Sequence, residues 1–193
     1  DQKRTYKVWL GIPKKQIQND VYASIFMLDG NAVMDKIKEP LLKKLSEKDP
    51  PVLVAIGYDS QLPFESKLRS LDYTPADETG KPSVDPRNPE RESGGSQAFA
   101  LVIKEQITPW VESKVKLNHY RKVLWGHSYG GLFVIDRFLH DDQFSHYFAA
   151  SPSLSWADAR TFKNVAKTDS TTLKNKNLML MEGDLNLTNQ IKV

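Results

Sequence analysis

Apolar residues fall in short blocks, and two of these are continuous, Ser24 to Leu28 (SIFML) and Val52 to Ile56 (VLVAI). Runs of this length without alternation are the mark of strands buried on both faces, as in parallel sheets. Tyr6 to Ile12 reads as an edge or early strand that stops at Pro13, and Val123 to Trp125, Tyr147 to Ala150 and Leu178 to Met181 are further short apolar runs. Between them the period changes. Val33, Ile37, Leu41, Leu42 and Leu45 recur at helical spacing, interrupted by Pro40. Phe99, Val102, Ile103, Ile107, Trp110 and Val111 make one stripe of a helix over 96–115 that Pro109 should kink. Leu132 to Leu139 continues as a helix after a glycine turn. Strands alternating with helices in this way predict an α/β fold. The expected architecture is a single domain over 1–193, a mostly parallel central sheet with helices on both faces.

Residues 59–95 follow neither period and are rich in Pro, Ser, Asp, Glu and Arg. They read as an insertion above the sheet. The segment starts at the carboxyl end of the Val52 to Ile56 strand, the edge where open α/β sheets place their ligands.

Composition narrows the classes. At 193 residues, 39% hydrophobic and 26% charged, the chain fits one globular domain. A net charge of +3, evenly scattered, leaves no nucleic-acid footprint. The absence of cysteine excludes a disulfide framework, a thiolate zinc site, an iron–sulfur cluster and a cysteine nucleophile. No apolar run approaches the ~20 residues that a membrane-spanning helix needs. Neither metal nor cofactor is expected.

The strongest local signal is Gly126-His127-Ser128-Tyr129-Gly130, a G-x-S-x-G pattern between the Val123 run and the Leu132 helix. At this chain's glycine and serine content, chance gives about 0.04 such patterns. The nucleophile elbow needs a strand, a turn too tight for side chains at the glycine positions, and then a helix. All three are present in order. Ser128 then stands at the apex as a candidate nucleophile, with the Tyr129 amide and the positive end of the helix ready for a developing oxyanion. The bland alternative is that Ser128 only caps the helix. A second oxyanion donor is expected from the turn Leu28-Asp29-Gly30-Asn31, which follows a buried strand and carries a glycine, the alternative being an ordinary strand-to-helix turn. His127 should leave the elbow opposite to Ser128 and serve packing.

These residues together resemble the putative-esterase family of α/β-hydrolases, and within it the siderophore esterases. The likeness rests on LDGNAVMDKI (28–37), RSLDYTP (69–75), GGSQAFALVIKEQITPWVE (94–112), GHSYGGLF (126–133) and SPSLSW (151–156), and runs from the first strand to about Gly183. It is strongest to periplasmic trilactone hydrolases of enterobactin and salmochelin. The resemblance implies a serine esterase in which Ser128 attacks a lactone carbonyl of a catecholate siderophore, apo or ferric, and forms an acyl-enzyme. It implies substrate contacts from Arg69, whose planar fork suits oxygen anions; the alternative is a surface ion pair of Arg69 with Asp72 or a neighbouring acid. Tyr73, Trp156 and Tyr129 would offer aromatic faces to the catechols, or pack in the core. Periplasmic localisation follows from the same likeness.

The sequence departs from the pattern at the base. In this fold the catalytic histidine follows the nucleophile and the acid in chain order. The four histidines are His119, His127, His140 and His146, and none is in the expected place. Glu182 and Asp184, directly after the Leu178 run, are the candidate acids. The expectation is a domain incomplete at its C-terminus. Two other readings stay open: another carboxylesterase or acyltransferase of the same family, and a hydrolase-fold protein that binds catecholates without cleaving them.

Overall fold

The computed structural model describes residues 4–14, 19, 21–165, 168 and 170–183. Its strands are β1 (Tyr6–Gly11), β2 (Val21–Met27), β3 (Val52–Tyr58), β4 (Ser83–Asp85), β5 (Asn88–Ser93), β6 (Lys116–His127), β7 (His146–Ala150) and β8 (Asn177–Met181). Six form one sheet in the order β1-β3-β2-β6-β7-β8, while β4 and β5 make a separate hairpin. Only β1 is antiparallel to its neighbour in the large sheet. The α/β class with a mostly parallel sheet, expected from the alternation of elements, is the one observed.

The register decides which face is the core. Phe26 pairs with Val54 and Leu124, and Leu124 with Tyr147, so these side chains share one face. That face is closed by α3 (Ser66–Tyr73), α4 (Ser96–Val102) and α6 (Tyr129–His140). Phe26, Phe99, Phe133, Leu124 and Leu132 are all fully or almost fully buried there, each stabilising the fold by roughly 1.5–3 kcal/mol. The opposite face carries Ile25, Met27, Val123, Trp125 and Phe148. With α1 (Gly30–Lys36) and α2 (Glu39–Ser46) these residues line an open apolar groove of about 580 Å³. No helix among the described residues is long and apolar enough to cross a membrane.

Both prolines act where the sequence placed a break. The helical pattern after Val33 divides into α1 and α2, with Pro40 in the first turn of α2, where its missing N–H costs nothing. The helix carrying Pro109 passes from α4 through a π-helical turn at Ile103–Ile107 into α5 (Thr108–Glu112). The wider turn lies just ahead of the proline, where its ring would otherwise crowd the carbonyl four residues back.

The segment 59–95 is not irregular throughout. It contains α3 and the β4–β5 hairpin. Neither showed a hydrophobic period because the residues they bury are mainly polar: Ser70 and Asp72 beside Tyr73 in α3, and Asp85 and Ser93 in the hairpin.

Candidate active site at the strand–helix elbow

Ser128 joins β6 to α6 with φ 58° and ψ −114°, a backbone region that side chains rarely enter. Holding a non-glycine residue there costs of order 1–3 kcal/mol, so the surroundings must over-determine it. They do. The Ser128 amide donates to the Ala150 carbonyl at 3.0 Å, and its own carbonyl accepts from Leu132 at 3.0 Å and Ser153 at 3.1 Å. Gly126 makes the turn possible: a Cβ there would stand 2.4 Å from the Gly130 oxygen, which is backbone and cannot yield.

The Ser128 hydroxyl lies 3.3 Å from that of Ser153. Tyr129 opens α6 directly after Ser128, and Gly30 and Asn31 open α1 after β2. Among the described residues the N–H groups of Tyr129, Gly30 and Asn31 have no acceptor. The side chain of Asn31 is fully engaged instead. Its Nδ2 donates to the carbonyls of Tyr58 at 3.0 Å and Ser60 at 2.9 Å, and its Oδ1 accepts from the Tyr58 amide at 2.9 Å. This ties α1 to the loop that follows β3.

Arg69 is held in an ion pair, the alternative reading of this residue, but the pair is largely buried and its acid is Asp29. Its Nε and Nη2 make a bidentate pair with the Asp29 carboxylate at 2.8 and 2.7 Å, so most of the fork is occupied by the protein. Burial alone would lower the pKa of this guanidinium, but the facing Asp29 carboxylate more than reverses that. The guanidinium also lies 5.4–5.7 Å from the rings of Phe64, Tyr73 and Tyr129. Its partner is thus an acid 40 residues away and not the nearby Asp72, which pairs with Arg4.

Tyr73 and Trp156 are completely buried and expose no aromatic face. The hydroxyl of Tyr73 accepts the Asp29 amide at 3.1 Å, supporting the turn that carries Gly30. The indole Nε1 of Trp156 donates to Asp85 at 3.0 Å. Of the two readings of these rings, a catechol face or core packing, burial fits the second.

Of the histidines, His127 is exposed beside the apolar groove and makes no hydrogen bond among the described residues. His119 lies in the first half of β6. His140 contacts the Asp136 carbonyl at 2.7 Å, and His146 opens β7 beside Ser145 at 2.8 Å. None hydrogen-bonds Ser128. Glu182 follows β8 and is exposed, while Asp184 lies outside the described residues. Among the described residues no group of three or more His, Asp or Glu could hold a metal ion.

Sequence reasoning missed Asp85 and Ser153. Asp85 lies in a stretch without period, and of its four hydrogen-bond donors only the Arg87 amide is close in sequence, the others being Ser70, Tyr129 and Trp156. Ser153 stood inside the SPSLSW segment, but only the fold brings it to Ser128.

A mostly parallel sheet with a serine at a strained strand–helix elbow defines an α/β-hydrolase. Residues 2–185 match the model of the family described as "Putative esterase", and the chain belongs to that family. It is 43% identical over 183 residues to the apo-salmochelin esterase of Escherichia coli O6:H1, a match covering 95% of this chain and 58% of that protein. To the ferri-bacillibactin esterase BesA of Bacillus subtilis it is 32% identical, covering 96% of this chain and 67% of that one. The fold superposes on the enterobactin hydrolase IroE in complex with DFP at a TM-score of 0.83 and 41% identity, covering 98% of this chain and 74% of that one. The chain thus spans under two thirds of the salmochelin esterase's length.

Proposed function

We propose that this protein is a serine esterase that opens the lactone backbone of catecholate siderophores such as enterobactin and salmochelin. The observation that carries the reading is Ser128 held at φ 58° directly before the acceptor-free amide of Tyr129, since such strain is kept where a hydroxyl must be presented. Siderophore esters are the substrates named for the similar proteins, which supplies the substrate class. The proposed setting is the periplasm, as the resemblance implies.

In the reaction the Ser128 oxygen attacks a lactone carbonyl and its proton passes to a base. The carbonyl π electrons move to oxygen, and the Tyr129 amide with that of Gly30 or Asn31 holds the charge. Collapse of the tetrahedral intermediate breaks the acyl–oxygen bond, the leaving alkoxide takes up the proton, and an ester on Ser128 remains. Water then repeats the sequence and releases a linear acid. The proton acceptor that activates a serine hydroxyl is required for both halves, and no described histidine occupies that position. Arg69 contributes by fixing Asp29, and with it the turn that bears Gly30. Its Nη1 has no partner among the described residues and is the part left for a catecholate oxygen.

The occupied fork of Arg69 favours a second reading, a carboxylesterase without catecholate preference. Incubating the intact gene product with enterobactin, salmochelin and p-nitrophenyl butyrate separates the two. Cleavage of the siderophores that is lost in Ser128→Ala is expected. Cleavage of the butyrate alone would establish the second reading, and unchanged turnover by Ser128→Ala would remove Ser128 from either.

A further inference from the structure

The carboxylate of Asp85 is buried at the join between the β4–β5 hairpin and the nucleophile elbow. Four donors converge on it. Oδ1 accepts from the indole of Trp156 at 3.0 Å and the amide of Arg87 at 2.9 Å, and Oδ2 from the hydroxyls of Ser70 at 2.5 Å and Tyr129 at 3.1 Å. Burial on its own would raise the pKa of this group, yet the bonds from Ser70, Arg87, Trp156 and Tyr129 hold it below the ordinary carboxylate value. It is therefore an anion at neutral pH, and charge-assisted hydrogen bonds of this kind are the strong ones.

Two of the four donors bracket Ser128. Tyr129 is the next residue in the chain and carries the amide assigned to the oxyanion. Trp156 closes the turn after β7, where its amide bonds the Ser153 carbonyl at 3.0 Å. Ser153 in turn donates its amide to the Ser128 carbonyl and sets its hydroxyl against the Ser128 hydroxyl. The two rings meet edge to face at 6.5 Å, and Arg87 adds a second tie by donating to Ser155 at 2.9 Å.

We propose that Asp85 is the positioning residue of the nucleophile: by binding Tyr129 and Trp156 together it fixes both flanks of Ser128 and couples the elbow to the segment 59–95. The proposal rests on the esterase reading above. A carboxylate suits the post because it accepts at every position and donates at none. In Asp85→Asn the indole and backbone N–H groups cannot turn into acceptors, so the amide oxygen must stay with them and the NH₂ must face Tyr129 and Ser70. The bonds from Tyr129 and Ser70 are the ones lost or reversed. Misplacing a reacting group by a fraction of an ångström is costly, because reaction depends on near-attack geometry.

The test measures the rate at which diisopropyl fluorophosphate modifies Ser128 in the intact protein, with kcat and KM on p-nitrophenyl butyrate, well below the melting temperature. Asp85→Asn is expected to slow modification and kcat alike by about tenfold while KM stays within about twofold. Tyr129→Phe removes only the hydroxyl that reaches Asp85, leaves the backbone amide in place, and is expected to lose about threefold in the same two rates. It keeps the test open should Asp85→Asn fail to fold. Wild-type rates in a folded Asp85→Asn, or in Tyr129→Phe, would overturn the proposal, as would a rise in KM with kcat unchanged. A wild-type protein that is not modified at all would instead overturn the esterase reading.

Discussion

The carboxyl ends of β6 and β8 lie two strands apart on one sheet and are built in opposite ways. At the end of β6, Ser128 is locked in a costly backbone geometry by a bond to the Ala150 carbonyl and bonds from the Leu132 and Ser153 amides, and α6 behind it is buried from Tyr129 to Arg137. At the end of β8, Glu182 is exposed, and every residue of the strand from Asn177 to Met181 is exposed as well. The difference teaches that, among the described residues, the nucleophile's geometry is set without a side chain from the β8 end. It is set by backbone proximity at Gly126 and by the packing of β7 and α6. The β8 side contributes one strand and, among the described residues, no side-chain contact to Ser128.

The comparison can be broken first at Gly126. Gly126→Ala places a Cβ against the Gly130 backbone, and is expected to cost about 3 kcal/mol in urea unfolding and at least about 100-fold in turnover. A variant with normal stability would mean that the elbow is looser than its contacts indicate.

The next effect lies further along α6. Asp136 is buried, and although burial would raise its pKa, Arg137, His140 and Ser96 hold it down at about 2. A carboxylate depressed on folding stabilises the protein above its unfolded value, near 3.9, and loses that contribution as the pH falls through the folded one. Wild-type stability should therefore fall by about 2 kcal/mol between about pH 4 and pH 2. Asp136→Asn should start lower at pH 7 and lack this part of the slope. An identical acid limb in both proteins would show that Asp136 is not held as described.

The smallest effect is expected beyond β8. Glu182→Gln changes an exposed side chain without a hydrogen-bond partner among the described residues, and should alter stability by less than about 0.5 kcal/mol. A loss comparable to that of Asp136→Asn would mean that this end is as tightly held as the elbow.

The same contrast explains what could be read in the sequence. Strands β2 and β3 were legible because a strand buried on both faces is apolar without interruption. The elbow was legible because its geometry is local, and glycine on each side of Ser128 follows directly from the tight turn. α3 and the hairpin were not, since their buried positions are Ser70, Asp72, Asp85 and Ser93, which are accommodated by hydrogen bonds and leave no trace in hydropathy. Arg69 was marked as a candidate, but its partner Asp29 precedes it by 40 residues and belongs to the oxyanion turn. For Tyr73 and Trp156 both a stacking face and core packing stay open in the sequence, because residue type alone does not tell one from the other.

The most direct measurement is the site at which diisopropyl fluorophosphate modifies the intact protein, read by mass spectrometry of its peptides. A single adduct on Ser128, absent from Ser128→Ala, is predicted. An adduct on Ser153 or any other residue, or an unmodified protein, would contradict the claim that the elbow serine is the nucleophile.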